Sequence, residues 1–357
     1  MTTTMRLRGR TQLLPSGPTL IARLGDRLTR IAPFGPVEEQ VLHLLAKGTS
    51  DLDEETADWR PDDRTRANEL AATLRDAGFL EAVEPPATIR AEDLARFDRL
   101  LHYFSEQEDG AVSRFDRLRR LLDARVLVVG TGGMGSWLLY GLACCGVRDF
   151  VLVDSDVVEP SNLNRSILFG EGDIGRAKVD AAAEALTRFS PRARVRTVAA
   201  PITGPGDLLD HLDGVDLVVG AADQPIWLVR EWLARACRQA GVPLLHPSGL
   251  RVGPFYLPGR SACPMCEFAQ RCQEQPRFAE TVARLRRLPR GTSGGLAPWA
   301  GITASVATAE VFRHLAGLGN PMTVDAVWTW RNGGTSDVTP LLPQAGCPVC
   351  HGEGLRT

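Results

Sequence analysis

A glycine-rich turn with the pattern G-x-G-x-x-G, directly after the apolar run 126–129, is the first feature of this chain that could do chemistry. Its glycines are Gly130, Gly132, Gly133 and Gly135. Residues 136–145 then have the composition of a helix, and a second apolar run, 150–153, leads to Asp154. Glycine lets a backbone approach a phosphate closely, and the N-terminus of a helix offers it free N–H groups. The pattern therefore predicts a βαβ nucleotide site in which Asp154 accepts hydrogen bonds from ribose hydroxyl groups.

The turn alone does not decide which nucleotide binds, because NAD and FAD fit the same pattern as ATP. Three residues further along the chain favour nucleotidyl transfer: Arg165, Lys178 and Asp223. When the α-phosphorus of ATP is attacked and pyrophosphate leaves, cations must meet the charge that develops on the phosphate oxygens, and an acid must hold Mg²⁺ there. Taken singly, such residues are more often solvated charges or helix caps. Their occurrence together, in this order after a glycine turn, predicts an ATP site.

The order of these residues resembles that of the ThiF/MoeB-type adenylyltransferases, which are relatives of the ubiquitin-activating enzymes. In that family the glycine turn precedes the pattern D-x-D-x-V-x-x-S-N-L-x-R, then a lysine, then an acid after a later strand. The matching residues here are Asp154, Asp156, Val158, Ser161, Asn162, Leu163, Arg165, Lys178 and Asp223. The resemblance covers roughly residues 95–357. Two positions depart from it, because Ser166 stands where the family usually has glutamine and Gln224 where asparagine often follows the acid.

The resemblance implies that ATP and Mg²⁺ are bound and that the C-terminal carboxylate of a peptide is adenylated. The glycines of the turn, together with Asn162, would hold the phosphates. Asp154 would hold the ribose, and Asp156 would belong to the same nucleotide site. Arg165 and Lys178 on the phosphates and Asp223 on the metal are the expected catalytic residues.

A fourth expected catalytic residue, Arg99, belongs to a segment that resembles the R-Y-x-R-Q sequence before the family's glycine turn. There the second arginine reaches into the ATP site of the partner subunit, so the resemblance implies a homodimer. A guanidinium that arrives from outside would close the site and neutralise the transferring phosphate. The segment 96–101 is equally consistent with the charged face of an ordinary amphipathic helix, and both interpretations stay open.

Four of the eight cysteines form two C-x-x-C pairs that stand far apart in the sequence: Cys263, Cys266, Cys347 and Cys350. Each pair can present two thiolates to one tetrahedral Zn²⁺ from a tight turn. Disulfides are disfavoured in a reducing cytosol, and a redox C-x-x-C would explain one pair but not both. The ThiF/MoeB family carries the same two pairs at the same places. This implies a closed, structural zinc site that pins the C-terminal tail onto the core.

No cysteine stands where sulfur-carrier activators carry a nucleophilic one. The corresponding place, between the first cysteine pair and the following helix, has Thr292-Ser293, and Cys272 comes too early in the chain. This argues against thioester or persulfide transfer. It favours adenylate formation without a covalent enzyme intermediate, or peptide recognition without chemistry.

Residues 15–86 predict a small domain with a winged-helix outline, after a loose N-terminus at residues 1–14. It would contain a hairpin, two helices and a closing strand, at 19–31, 37–45, 64–77 and 79–83. The outline is similar to the leader-recognition elements of enzymes that modify ribosomally made peptides, which add the peptide as a strand to the edge of the wing. Residues 19–33 and the helix 64–77 would then line the groove. A DNA-binding winged helix is disfavoured by the acidic residues in the middle of this segment, whereas a simple cap on the larger domain stays open.

The larger part of the chain, residues 95–357, is expected to form an α/β domain with a Rossmann-like, ThiF-type, mostly parallel sheet and helices on both faces. Of the 357 residues, 44% are hydrophobic and 24% charged, and the net charge is −2, so nothing predicts binding to nucleic acid or to a membrane surface. No apolar stretch has the length of a membrane span, and the N-terminus lacks the apolar segment of a signal peptide. We therefore expect a cytoplasmic protein.

Two functions of different kinds follow. In the first, the chain is an enzyme that binds the leader of a precursor peptide through its N-terminal domain and adenylates a peptide carboxylate with ATP. In the second, it is a ThiF-like binding partner that delivers the precursor peptide to a separate YcaO-type cyclodehydratase. The retained ATP-site residues favour the first. Activation of a sulfur-carrier protein is a third hypothesis, against which the additional N-terminal domain and the missing cysteine both count.

Overall fold

The computed structural model describes residues 4–83, 87–107, 112–288, 294–331 and 334–350. The chain divides into two compact units, Met1–Arg119 and Arg120–Thr357. Thr292-Ser293 lies outside the described residues, so the expectation attached to this pair stays a prediction. Among the residues that are described, no helix is both long enough and apolar enough to cross a bilayer.

The strands of the first unit form small antiparallel sheets. They are β1 (Met5–Leu7), β2 (Gln12–Ser16), β3 (Thr19–Leu24), β4 (Arg27–Ile31) and β5 (Leu80–Ala82). β2, β3 and β4 pair in that order, so the hairpin expected over 19–31 is present as β3 and β4. β1 and most of β2 lie within residues 1–14, where the sequence predicted a loose N-terminus. The difference arises because β1 pairs with β5, a strand far along the chain that no local pattern reveals.

The helices that precede the main sheet are α1 (Pro36–Lys47), α2 (Leu52–Glu55), α3 (Pro61–Asp76), α4 (Ala91–Arg96), α5 (Asp98–Glu106) and α6 (Arg114–Asp123). β3 alternates its side chains across the sheet, and it buries Leu20, Ala22 and Leu24. These residues share a core with the apolar faces of α1 and α3. β2 and β4 are the two edge strands of this sheet, and neither pairs with a further strand among the described residues.

The second unit is built on a sheet with the strand order β12-β10-β9-β6-β7-β8. These strands are β6 (Arg125–Val129), β7 (Asp149–Val153), β8 (Arg194–Val198), β9 (Leu217–Gly220), β10 (Leu244–Leu245) and β12 (Phe255–Tyr256). All neighbours are parallel except β10 and β12. β6, β7 and β9 are buried almost throughout, as expected of parallel strands that are covered on both faces. The mostly parallel α/β architecture is thus confirmed.

The helices around this sheet are α7 (Gly133–Cys144), α8 (Lys178–Phe189), α9 (Gly206–Leu209), α10 (Leu228–Ala240), α11 (Pro264–Glu274), α12 (Phe278–Leu285) and α13 (Ala297–Leu315). A separate antiparallel sheet has the order β11-β13-β14, formed by β11 (Arg251–Val252), β13 (Ala326–Trp330) and β14 (Ser336–Pro340). α13 packs along α7 so closely that a Cβ atom at Gly141 would lie 2.9 Å from Thr308 Oγ1. Because α7 begins within the glycine turn, this packing also stabilises the turn.

Candidate functional site

The sequence-predicted residues of the nucleotide site gather at the carboxyl edge of three neighbouring strands. The glycine turn follows β6, Asp154 follows β7, and Asp223 comes shortly after β9. β9, β6 and β7 are adjacent and parallel, so the loops after them share one edge of the sheet. Ligands of open α/β sheets bind in the crevice outside this edge.

The glycines of the turn make different demands on their surroundings. Gly130 has a φ of +91°, and a Cβ atom there would lie 2.8 Å from the backbone of Ala221 and Ala222. A Cβ atom at Gly135 would lie 2.0 Å from the carbonyl oxygen of Gly130. Gly132, which directly precedes α7, would place its Cβ atom more than 4 Å from any neighbour. Gly130 and Gly135 are therefore required by packing, whereas Gly132 borders open space that a phosphate could fill.

Asp154 fastens the glycine turn to the end of β7. Its Oδ2 accepts hydrogen bonds from Thr131 N at 2.7 Å and Thr131 Oγ1 at 3.1 Å. Its Oδ1 accepts one from Asp156 N at 3.0 Å. The sequence predicted this carboxylate as a ribose ligand, and the structure adds a role in holding the turn. Thr131 was missed because it occupies a variable position of the glycine pattern.

Lys178 and Asp156 form an ion pair at the start of α8. Lys178 Nζ lies 2.8 Å from Asp156 Oδ2, and Lys178 N donates to Asp156 O at 2.9 Å. Lys178 is only 9% exposed, although the positive end of a helix dipole disfavours a cation at this position. Asp156 is the described acid that offsets this charge, and its side chain is 62% exposed.

Arg165 lies over the glycine turn. Cβ atoms at Gly133 and Gly295 would lie 3.0 Å from its Cγ and 2.6 Å from its Cδ, respectively. Its Nη1 donates to Ser161 O at 2.6 Å and to Asn164 Oδ1 at 3.1 Å. Within the described part of the chain it has no carboxylate partner, so its positive charge is available at the turn.

The segment that carries Arg165 is fixed by contacts with α7. Trp137 Nε1 donates to Arg165 O at 2.9 Å, and Ser136 Oγ accepts from Ile167 N at 3.2 Å. Asn162 is buried in the 3₁₀ turn Pro160–Asn162, and its Oδ1 accepts from Glu159 N at 3.1 Å. No local signal in the sequence could have identified Gly295 or Trp137 as neighbours of Arg165, because they come from distant segments.

Asp223 is exposed in the loop between β9 and α10, and it forms no ion pair with any described residue. The end of this loop is held by Arg286, whose Nε donates to Ile226 O at 2.9 Å. Arg99 lies on α5 in the first unit, where its side chain is 94% exposed and pairs with Asp98 at 3.7 Å. Its expected reach into a partner's site stays a prediction.

The four cysteines of the C-x-x-C pairs meet in one cluster. Their Sγ atoms all lie within 4.8 Å of one another, with separations of 3.5 Å for Cys263–Cys347, 3.6 Å for Cys266–Cys350 and 3.9 Å for Cys263–Cys266. Four thiolates around Zn²⁺ at a Zn–S distance of about 2.3 Å stand about 3.8 Å apart, so the cluster fits a tetrahedral zinc ion. The hydrogen bond with the Cys263 thiol lowers the pKa of Cys266 below its usual value.

The sequence of this chain is similar to those of known adenylyltransferases. The ThiF family model matches residues 104–349. The adenylyltransferase and sulfurtransferase MOCS3 of Bos taurus is 35% identical over 238 residues, which are 66% of this chain and 48% of that protein. The molybdopterin-synthase adenylyltransferase of Escherichia coli K12 is 30% identical over 246 residues, which are 66% of this chain and 90% of that protein. The chain thus spans about half the length of the MOCS3 proteins that it matches.

Solved structures extend the likeness to nearly the whole chain. E. coli MccB with ATP has a TM-score of 0.73 at 20% identity and covers 97% of this chain and 99% of its own. The microcin C7 biosynthetic enzyme MccB in complex with N-formylated MccA has a TM-score of 0.72 at 20% identity, with the same coverage. PaaA has a TM-score of 0.75 at 19% identity and covers 94% of this chain and 99% of its own. At these identities the likeness concerns the fold.

Proposed function

Because this chain belongs to the ThiF family, we propose that it binds ATP and Mg²⁺ at the carboxyl edge of β6, β7 and β9 and adenylates a carboxylate of a peptide. A carboxylate oxygen of the peptide attacks the α-phosphorus, and the bond from that phosphorus to the bridging oxygen breaks. Pyrophosphate leaves with the electron pair. The product is a mixed anhydride between the peptide and AMP.

The observation that carries this proposal is the position of Arg165, whose positive charge lies over the glycine turn without a carboxylate partner among the described residues. A preorganised cation at that place stabilises the charge that develops on the phosphate oxygens. Lys178, which is buried at the start of α8 beside Asp156, supplies a second cation. Asp223 would hold Mg²⁺, which supplies further neutralisation of the phosphates.

The peptide is proposed to enter through the first unit. β4 is an edge strand, and its Leu28 is 65% exposed. Such an edge offers unpaired backbone groups and a side-chain contact to an extended leader segment. The fold likeness to MccB, which has been crystallised with MccA, supports a peptide partner.

Activation of a sulfur-carrier protein is a second candidate, favoured by the relatives themselves. The sulfur carrier protein ThiS adenylyltransferase of E. coli K12 is 28% identical over 242 residues and is covered to 90% by this chain. The chemistry at ATP would be the same, and the acceptor carboxylate would belong to a folded protein instead of a short peptide.

ATP–pyrophosphate exchange on the purified full chain, with and without candidate precursor peptides, tests the proposal. We expect peptide-dependent exchange that falls about 100-fold or more in Asp223→Ala, because the metal contact is lost. Asp210→Ala removes another exposed carboxylate, at the end of α9, and should exchange like the unaltered chain.

Each alternative has a distinct outcome. Exchange with a sulfur-carrier protein but not with short peptides would favour the second candidate. Peptide binding without any exchange would exclude adenylation and favour a non-catalytic partner of a cyclodehydratase.

A further inference from the structure

Beyond the nucleotide site, three arginines converge on one buried carboxylate. Glu267 on α11 is 5% exposed. Its Oε1 accepts from Arg251 Nη2 at 2.7 Å and from Arg271 Nη2 at 3.0 Å, and its Oε2 lies 3.5 Å from Arg230 Nη1. Among the described residues, none of these guanidinium groups pairs with another acid. The cluster therefore carries a surplus of positive charge, and its hydrogen bonds to Glu267 use only a few of the about five N–H groups of each guanidinium.

The surplus charge lies in a partly dry setting that still reaches solvent. The side chain of Arg230 is 16% exposed, and burial, with the neighbouring charges of Arg251 and Arg271, lowers its pKa. The side chains of Arg251 and Arg271 are 36% and 28% exposed, so an anion from solution could reach them. Unbalanced buried charge is costly unless a further partner completes it.

An aromatic group holds the cluster beside the loop that carries Asp223. Arg230 Cζ stacks 4.4 Å above the ring of Trp227, which packs edge-on against Phe268 and Phe278 at 5.3 Å and 5.8 Å. Trp227 has a φ of +63°, a conformation that costs free energy for a bulky residue and is concentrated at functional sites. Trp227 ends the loop from β9, so the cluster lies a few residues from the proposed metal ligand.

The strand order places this cluster on the β9–β10 side of the proposed nucleotide site. Asp154 follows β7, on one side of β6, whereas Arg230 follows β9 and Arg251 follows β10, on the other side. His246, at the end of β10, is 1% exposed, and neither ring nitrogen has a hydrogen-bonding partner among the described residues. Burial and the charge of Arg230 hold the pKa of this imidazole well below its usual value, so it adds no charge. A peptide that approaches ATP from the β9–β10 side would come close to these arginines.

We propose that Arg230, Arg251 and Arg271, gathered around Glu267, form a subsite for a second carboxylate of the peptide, close to the one that is adenylated. The inference rests on the proposed function, and it names the substrate class: peptides with an acidic residue near the reacting carboxyl group. The guanidinium groups bind that carboxylate by charge-assisted hydrogen bonds in fork geometry. The acidic residue thereby positions the reacting carboxylate.

The test is selection from a displayed peptide library with a free C-terminus and six randomised final residues, bound to the full chain with a non-hydrolysable ATP analogue. We expect aspartate or glutamate to be enriched about tenfold at one position, which corresponds to one charge-assisted pair. The double variant Arg251→Gln/Arg271→Gln should lose this enrichment. It leaves Arg230 to pair with Glu267, and its circular dichroism and melting curve check that it folds. Arg235→Gln, which removes a more exposed arginine of α10 paired with Glu231, should retain the enrichment.

The proposal is overturned if the unaltered chain enriches no acidic residue, or if the double variant enriches it equally. A double variant that binds pyrophosphate more weakly but keeps the acidic preference would assign the arginines to the leaving group and equally overturn it. ATP–pyrophosphate exchange measured with the selected peptides tests the subsite and the proposed adenylation separately. Selection of acidic peptides without exchange would support the subsite and exclude adenylation. Exchange without selection of acidic peptides would support adenylation and exclude the subsite.

Discussion

At the scale of single residues, the glycine turn combines positions required by packing with one that borders empty space. Gly135 touches the backbone of the turn itself, whereas Gly132 faces outward from the start of α7. A pattern of glycines cannot distinguish these roles, because the sequence shows only that side chains are absent. The contacts that a Cβ atom would make at each glycine distinguish the two roles.

This difference predicts opposite effects of two alanine substitutions. Gly132→Ala should keep the melting temperature within a few degrees but weaken ATP binding about tenfold, because its methyl group enters the phosphate space. Gly135→Ala should lower the free energy of unfolding by about 1–3 kcal/mol, because its Cβ atom overlaps Gly130 O. Calorimetric titration with ATP and thermal melting check both. If Gly132→Ala bound ATP normally, the phosphates would have to lie elsewhere.

The types and order of the proposed ATP-site residues could be read from the sequence, but their contacts could not. Arg165 was identified from its place in a linear pattern. Its position between Gly133 and Gly295 depends on α13, whose approach to α7 is a tertiary event. The Glu267 cluster gave no signal for the same reason, since its arginines come from different elements.

At the scale of elements, the cysteine cluster joins two segments that are remote in sequence. Cys263 and Cys266 flank the start of α11, and Cys347 belongs with Leu341 and Val349 to one buried hydrophobic cluster. The turn before α11 is also held by Ala262 N, which donates to Asp325 Oδ1 at 2.7 Å. Zinc would thus attach the segment after β14 to α11.

Replacement of one cysteine ligand should weaken this attachment. Cys347→Ser is expected to lose the single bound zinc and to lower the melting temperature by more than about 5 °C, because the metal contributes folding free energy. Cys272→Ser, on the same helix α11 but outside the cluster, should retain both. Metal analysis and thermal melting give the answer. Equal zinc content in the two variants would exclude a zinc site formed by the four clustered cysteines.

The elements differ in how far the sequence predicts them. The hairpin of β3 and β4 and the parallel strands of the main sheet follow from local periodicity and glycine turns. β1 does not, because three residues give too short a pattern and its partner β5 follows the intervening helices α1–α3. Long-range pairing of short strands is a property of the folded unit.

At the scale of the whole molecule, the proposed capture of a leader by the first unit should raise the concentration of peptide available for adenylation. Leu28→Ser on the edge strand β4 is expected to raise the peptide concentration for half-maximal exchange about tenfold and to leave the maximal rate unchanged, because the proposed capture of the leader and the proposed chemistry involve different units. Leu14→Ser on the other edge strand, β2, is the matched control, since Leu14 is also exposed. Should Leu14→Ser have the larger effect, β2 would be the docking edge.

The fit of Gly130 against Ala221 and Ala222 has a consequence for protein engineering. The glycine turn and the loop that leads to Asp223 fit closely together, because a Cβ atom at Gly130 would lie 2.8 Å from the backbone of Ala221 and Ala222. They therefore form one interchangeable part. A turn transplanted from another nucleotide-binding protein would have to bring its own version of the facing loop, and so would any attempt to change the nucleotide base preference by grafting.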